Sequence, residues 1–589
     1  MKFSEMKYVR PDMDKLKAEA ESAADRIKNA ANADEAANAY LDWDKAAASF
    51  ATMNSLCYIR HTINTEDKFY DEENEFFDSA NPDFVQYAQT VAEVIAKSAF
   101  RPELEKKFGR VMFINTDIFL KSFSPEIIPE MQEDNKLSTE YEKLIASAQI
   151  DFDGKKLTIS QLSPYKQSPD DNVRHAAWAA ESAFYKEHEE QLDRIYDDMV
   201  KTRTAMAKKM GFENYVPLGY LNMNRNCYTA EDVAKFRNAV IKYIVPVADK
   251  LYRSQAARLG VSYPMKYADT AITYRDGNAV PKGTPEDILE AGRRFYHKLS
   301  PRTAEFFDFM MENELMDVLS RKGKAAGGYC TELPDFESPF IFANFNGTQG
   351  DVEVITHEAG HAFAAYTTRH MFPTDNRQPT LESCEIHSMT MEFFGWASAD
   401  DFFGEGADKF CYKHLADAIE FIPYGAMVDH FQHSVYEHPE YTPEDRINEW
   451  KRLTALYMPW IDLDGSPFYG EGRAWQRQTH IYVTFAGLAI CVSCLGLFGL
   501  SLYDIRQRYR EIALRKVNGA TGKQIALLLV RKYLYILGAA FAVAIPLVYY
   551  MIDDYTKDFA VKAPIGAGIF LTGFILTLLI SLGTLPVSY

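Results

Sequence analysis

Apolar and polar positions divide this chain into two unlike parts. Up to about residue 480, helix-favouring segments at 13–31, 34–51, 173–208 and 285–297 alternate with short polar loops, which predicts a mainly α protein. Strand-like runs are few. Aromatic and β-branched residues cluster shortly before residue 350, and 111–121 and 157–159 read as two further short strands. No repeat period or low-complexity tract appears, so a helical solenoid is unsupported. Beyond residue 480 the pattern changes: 481–503, 533–552 and 563–586 contain no charged residue. At about 1.5 Å per residue each run is long enough to approach or cross a hydrocarbon core of about 30 Å. One such run would also suit a buried soluble helix; three in succession predict three transmembrane helices.

Inside the first part lies His357-Glu358-Ala359-Gly360-His361, flanked by Asp351-Val352-Glu353-Val354-Ile355 and Ala362-Phe363-Ala364-Ala365-Tyr366 without a proline. On a helix, residues i and i+4 share a face, so both imidazoles can reach one tetrahedral metal while Glu358 touches a water beside it. A chance match is the competing reading. A peptidase zinc also needs a third protein ligand and an open position. The next expected helix, from Leu381 to Glu392, offers Glu382, Glu385 and Glu392 on one face, amid apolar Ile386, Met389, Phe393 and Phe394. A carboxylate in such surroundings needs a partner.

His357-Glu358-Ala359-Gly360-His361-Ala362-Phe363, with Glu385, Ser388 and Glu392 behind it, resembles the M3 family of zinc oligopeptidases in its oligoendopeptidase F-like branch. The resemblance implies one Zn²⁺ held by His357, His361 and Glu385, Glu358 as the general base, and Ser388 and Glu392 as supporting groups, Glu392 accepting the second ring proton of a ligand histidine. It implies that 340–348, with Ala343, Asn344 and Phe345, is the edge strand along which a peptide lies, and that Gly328 and Tyr329 belong to a glycine-rich loop near substrate. Two glycines alone would signal only a turn. The implied fold is a helical, two-lobed peptidase with a few short strands near the site and a deep channel admitting short peptides. An N-terminal helical lobe would span 1–200 and a catalytic lobe 201–482.

The likeness continues through 211–215, 228–233 and Gly472-Arg473-Ala474-Trp475-Gln476-Arg477-Gln478-Thr479-His480-Ile481-Tyr482, then stops. In the family a tyrosine-rich run follows this histidine, and both look like donors to the tetrahedral oxyanion. Here Val483-Thr484-Phe485-Ala486 follows instead, so His480 is expected to lack its tyrosine partners. The segment 483–589 resembles the C-terminal three-helix part of FtsX/MacB-type ABC transporter permeases, whose basic loop, here 506–523, contacts an ATPase. Gly519-Ala520-Thr521-Gly522-Lys523-Gln524 is no phosphate loop, because the first glycine position holds Val517 and Gln524 replaces the magnesium-binding Ser or Thr.

Charge follows the same division. Of 64 Lys and Arg and 83 Asp and Glu, 483–589 holds ten and five, which leaves the front part at net −24. Such acidity argues against nucleic acid as a partner. Five scattered cysteines in that part, Cys57, Cys227, Cys330, Cys384 and Cys411, suit a reducing compartment. The charged N-terminus lacks the apolar core of a signal peptide, which places the peptidase part in the cytoplasm and makes the tail a multi-pass membrane module. The basic loop is also expected in the cytoplasm, which puts the front part on the other side of the first span. The conflict points to a chimera of two genes.

Overall fold

The computed structural model describes residues 1–377 and 379–477. Of the described residues, 1–101 and 110–477 belong to the first of two units into which the chain divides. The first holds every element discussed below. The three apolar runs, His480 and the 506–523 loop lie outside the described residues. Among the described residues no helix is long and apolar enough to cross a membrane.

The first unit is mainly helical, and its helices begin where the chain supplies a side-chain oxygen for otherwise unpaired N–H groups. Asp12 caps α1 (Met13–Lys28) and Asn32 caps α2 (Ala33–Ile63). Asp67 caps α3 (Lys68–Ala96). The segment 111–121 is not a strand but helix α4 (Arg110–Ser122). Its aromatic and β-branched content suggested a pleated surface, yet Met112, Phe113 and Thr116 are buried together on one helical face. Of the strand expected at 157–159 only Leu157 is strand, the last residue of a two-stranded hairpin of β1 (Ile150–Phe152) and β2 (Lys155–Leu157); Thr158 caps a helix that begins at Ile159.

The long helix expected over 173–208 is two helices, α5 (Asp171–Glu187) and α6 (Glu189–Lys209). His188 separates them, its Nδ1 2.8 Å from the carbonyl of Phe184. That bond satisfies an end carbonyl of α5, a break that helix propensity alone does not reveal. Further on, Thr284 with Asp287 boxes the start of α7 (Pro285–Leu299) and Ser300 caps α8 (Pro301–Glu312).

A mixed sheet follows: β3 (Met316–Leu319), β4 (Tyr329–Leu333) and β5 (Ser338–Phe345) in the order β3-β5-β4. β5 runs parallel to β3 and antiparallel to β4, with Tyr329 opposite Phe342. The edge strand expected at 340–348 is therefore the central strand. Phe340, Ile341, Phe342 and Ala343 are at most 1 % exposed, so their apolar run reflects burial on both faces. β3 and β4 are the sheet's two edge strands, each paired on one side only among the described residues.

β5 ends at Asn346-Gly347, where Gly347 takes φ +89° and the N–H groups of both residues donate to the Asp351 carboxylate. This turn launches α9 (Gly350–Thr368), which packs on the sheet through Val352, Ile355 and Ala359 and shares a core with Phe295, Tyr296, Phe306 and Phe307. α10 (Leu381–Gly395) lies across α9. A Cβ on Gly360 would sit 2.5 Å from Ser388 Cα and 3.0 Å from the His387 carbonyl oxygen. No side chain fits, and the two helices touch backbone to backbone. α11 (Ala407–Glu437) and α12 (Pro443–Tyr457) complete the elements near the site.

G360A is expected to push α10 away and destabilise the fold by about 1–3 kcal/mol, the usual cost of overpacking. The check is the urea midpoint, and an unchanged value would show that α10 yields freely.

Candidate functional site

The close approach of α9 and α10 brings three side chains to one point. His357 Nε2 is 3.0 Å from Glu385 Oε2, His361 Nε2 is 3.4 Å from the same oxygen, and the two ring nitrogens are 3.3 Å apart. Donors about 2.0–2.1 Å from a tetrahedral zinc lie roughly 3.3 Å from one another. The triangle matches that spacing, and among the described residues it is the one cluster of this kind.

Each corner is braced from behind. Ser388, fully buried, has its hydroxyl 2.7 Å from Glu385 Oε2. Glu392 Oε1 lies 2.5 Å from His357 Nδ1, and its Oε2 lies 2.6 Å from His414 Nε2. His361 Nδ1 is 3.1 Å from His387 Nε2. His387 and His414 were not anticipated from sequence. His387 stands two residues beyond Glu385, where the i, i+4 logic does not look, and His414 lies 22 residues past Glu392 on another helix.

Glu358 lies against the glycine loop and near enough to His357 and His361 to feel their charge. A Cβ on Gly328 would come within 3.8 Å of Glu358 Oε1 and 3.3 Å of the Phe342 carbonyl oxygen. Gly328 therefore lets the loop lie against the carboxylate. Asn344 Nδ2 holds that loop by donating to the carbonyls of Ala325 and Gly327, both at 2.9 Å. Tyr329 stacks on Phe342 at 4.8 Å, and its hydroxyl is 2.7 Å from Thr62 Oγ1 of α2. Of the five residues expected along a peptide, Gly328 and Tyr329 lie at the start of the edge strand. Ala343, Asn344 and Phe345 belong to the central strand, with Ala343 and Phe345 buried. The ladder with β4 ends at Phe342, so these three residues lie beyond it on that side.

The Peptidase M3 N-terminal domain family matches residues 3–123, Peptidase family M3 matches 295–487, and the FtsX-like permease C-terminal family matches 483–589. Among solved structures, PZ peptidase A with an inhibitor is 46% identical, covering 87% of this chain and 91% of that one at a TM-score of 0.81. A protein described as oligoendopeptidase F is 38% identical over 99% of both chains, TM-score 0.83. An oligoendopeptidase F described from Bacillus anthracis strain Ames is 38% identical over 99% and 98%, TM-score 0.78. The chain belongs to peptidase family M3. No curated protein matches it.

The electrostatics of this M3 site follow from putting several ionisable groups in little water. For His357, burial opposes charge, but hydrogen bonds with Glu385 and Glu392 prevail and push the ring up to about 10. Burial likewise works to raise Glu385 and Glu392. The imidazoles facing them win, and both carboxyls stay below their ordinary value. Glu358, 8 % exposed, is raised by burial against the pull of His357 and His361. His387 is lowered to about 4 by burial and by the neighbouring His361. None of the five cysteines of the front part forms a disulfide with another described residue, and Cys330 on β4 is raised by burial and by Glu358.

A ring that holds its proton up to about pH 10 must give it up to ligate a metal. Below that pH, each unit of rise should strengthen metal binding about tenfold through one displaced proton. Calorimetry of metal uptake in buffers of different ionisation enthalpy checks this. Uptake without proton release would remove His357 from the ligand set.

Proposed function

We propose that this M3 metallopeptidase is a zinc-dependent endopeptidase of short peptides, with a lobe at 1–200, a catalytic lobe at 201–482 and a permease-like tail at 483–589. The observation that carries the reading is the triangle of His357, His361 and Glu385, whose edges suit a tetrahedral ion with one corner left over. Two neutral imidazoles and a carboxylate form a donor set that suits zinc. When bound, the ion supplies Lewis acidity for the scissile carbonyl and for the attacking water.

The chain's own residues would do the rest. Glu358, buried and held above the usual carboxylate range, takes the proton of the attacking water and passes it to the leaving amine. Its place against Gly328 puts it beside the start of β4, where an extended peptide can add main-chain hydrogen bonds to the unpaired edge. Glu392 and His387 keep the two ligand rings from turning, and Ser388 holds the Glu385 carboxylate.

Turnover is proposed to be slow. His480 is the remaining donor to the oxyanion, without the tyrosines that follow it in the family. Losing one such donor typically costs about a hundredfold to a thousandfold in turnover. The match of 483–589 to the FtsX-like permease family supports a second role for the tail: membrane attachment, with the basic 506–523 loop as a contact for an ABC ATPase. With that loop and the peptidase part both in the cytoplasm, the first apolar run, 481–503, would not cross the membrane.

The purified chain should take up about one zinc and cleave a fluorogenic peptide far more slowly than an intact relative. E358Q should keep the zinc and the peptide affinity while cutting cleavage about a hundredfold to ten-thousandfold. Measuring affinity and cleavage on one sample decides the matter. Binding with no cleavage in the unaltered chain would leave a peptide-binding protein in place of an enzyme, and cleavage unaffected in E358Q would remove the general base.

A further inference from the structure

Behind the ligand triangle runs a line of side chains with a fixed hydrogen-bond direction. Trp396, half-buried just beyond α10, has Nε1 3.0 Å from His414 Nδ1. His414, on α11 and 4 % exposed, has Nε2 2.6 Å from Glu392 Oε2. The other oxygen of Glu392 reaches His357 Nδ1 at 2.5 Å. An indole N–H can only donate, so the nitrogen it faces must carry the lone pair. The His414 proton then sits on Nε2 and donates to Glu392. With one oxygen so occupied, Glu392 accepts from His357 Nδ1–H through the other, and a neutral His357 is left with its Nε2 lone pair aimed at the triangle.

The packing holds this order. The His414 ring stacks on Phe410 at 5.5 Å and meets the edge of Phe393 at 5.0 Å, which holds its plane, and a half-turn within that plane would lose both the bond from Trp396 and the bond to Glu392. Burial disfavours charge on His414 while the Glu392 carboxylate favours it and raises its pKa. A second proton on Nδ1, however, would face the indole N–H at 3.0 Å with no acceptor between them.

We infer that Trp396 and His414 are positioning residues that act through Glu392 to set the tautomer of His357, and that the hold of the site on its metal depends on an indole N–H three side chains away. The inference rests on the zinc-site reading above and assigns to Trp396 and His414 a role that neither residue type nor spacing suggests.

The test is the rate at which the full chain, loaded with one zinc, loses it to a chromophoric chelator. H414A should release zinc about ten- to a hundredfold faster than the unaltered chain, the range found when such supporting partners are removed. W396F, which keeps the ring and loses only the donor, should release it several-fold faster at an unchanged melting temperature of the metal-free protein. H414Q, whose amide nitrogen can stand where Nε2 stood and donate to Glu392, should restore most of the retention. Release at the unaltered rate in both W396F and H414A would overturn the inference. Equal loss in H414Q and H414A would also overturn it, because packing rather than the donor would then be at work. A chain that takes up no zinc at all would instead bring down the metal-site reading, and this inference with it.

Discussion

The site depends on the absence of one side chain. Gly360 is the place where α9 and α10 meet backbone to backbone, with Ser388 Cα occupying the space a Cβ would need. From that contact the rest follows geometrically. Three residues earlier along α9 stands His357, one residue later His361, and three residues earlier along α10 stands Glu385. With the helices this close, a short carboxylate arm reaches both rings with a single oxygen. An extra ångström of separation would leave Glu385 within ion-pair range but outside the spacing of a tetrahedral ion. The glycine inside the His-Glu-x-x-His stretch is thus a packing requirement, not a helix defect.

Close approach carries an electrostatic cost that the surrounding residues offset. Burying a charge without partners is costly, whereas buried charges that are paired and hydrogen-bonded persist. His357 lies between two carboxylates, Glu385 is bonded by Ser388, and Glu392 lies between His357 and His414. Glu358 is the exception. Burial raises it, the imidazoles pull it back only in part, and among the described residues no side chain hydrogen-bonds to it. A carboxylate kept reactive beside paired neighbours is what a proton acceptor requires.

The sequence disclosed what is local. A helix that places two histidines one turn apart needs only its own residues, and so do Thr284 with Asp287 or Ser300 at a helix start, and Asn346-Gly347 at the end of a strand. What escaped it was decided by neighbours. The run Phe340–Ala343 is equally consistent with an edge strand facing substrate and a central strand buried on both sides. Only the pairing of β3 and β4 with β5 separates the two. His188 ends a helix because its ring reaches the Phe184 carbonyl, although the flanking segment is helix-favouring throughout. His387, His414 and Trp396 join the site through contacts between helices, and no spacing within one helix points to them.

Holding a metal and turning over a peptide make separable demands on this chain. Every group proposed to hold and brace the ion lies between His357 and His414, on three helices of the described unit. The groups proposed to steady the oxyanion begin at His480, where the M3 match gives way within a few residues to the permease match. A change of sequence at that junction removes no ligand and no brace. On the proposed reading it would act on the transition state, which needs donors aimed where charge develops, and would leave the ground-state chemistry of the metal intact. A chain joined in this way would, on that reading, keep the more local of the two functions, because three helices suffice to assemble it, and would weaken the one that needs residues from beyond the junction.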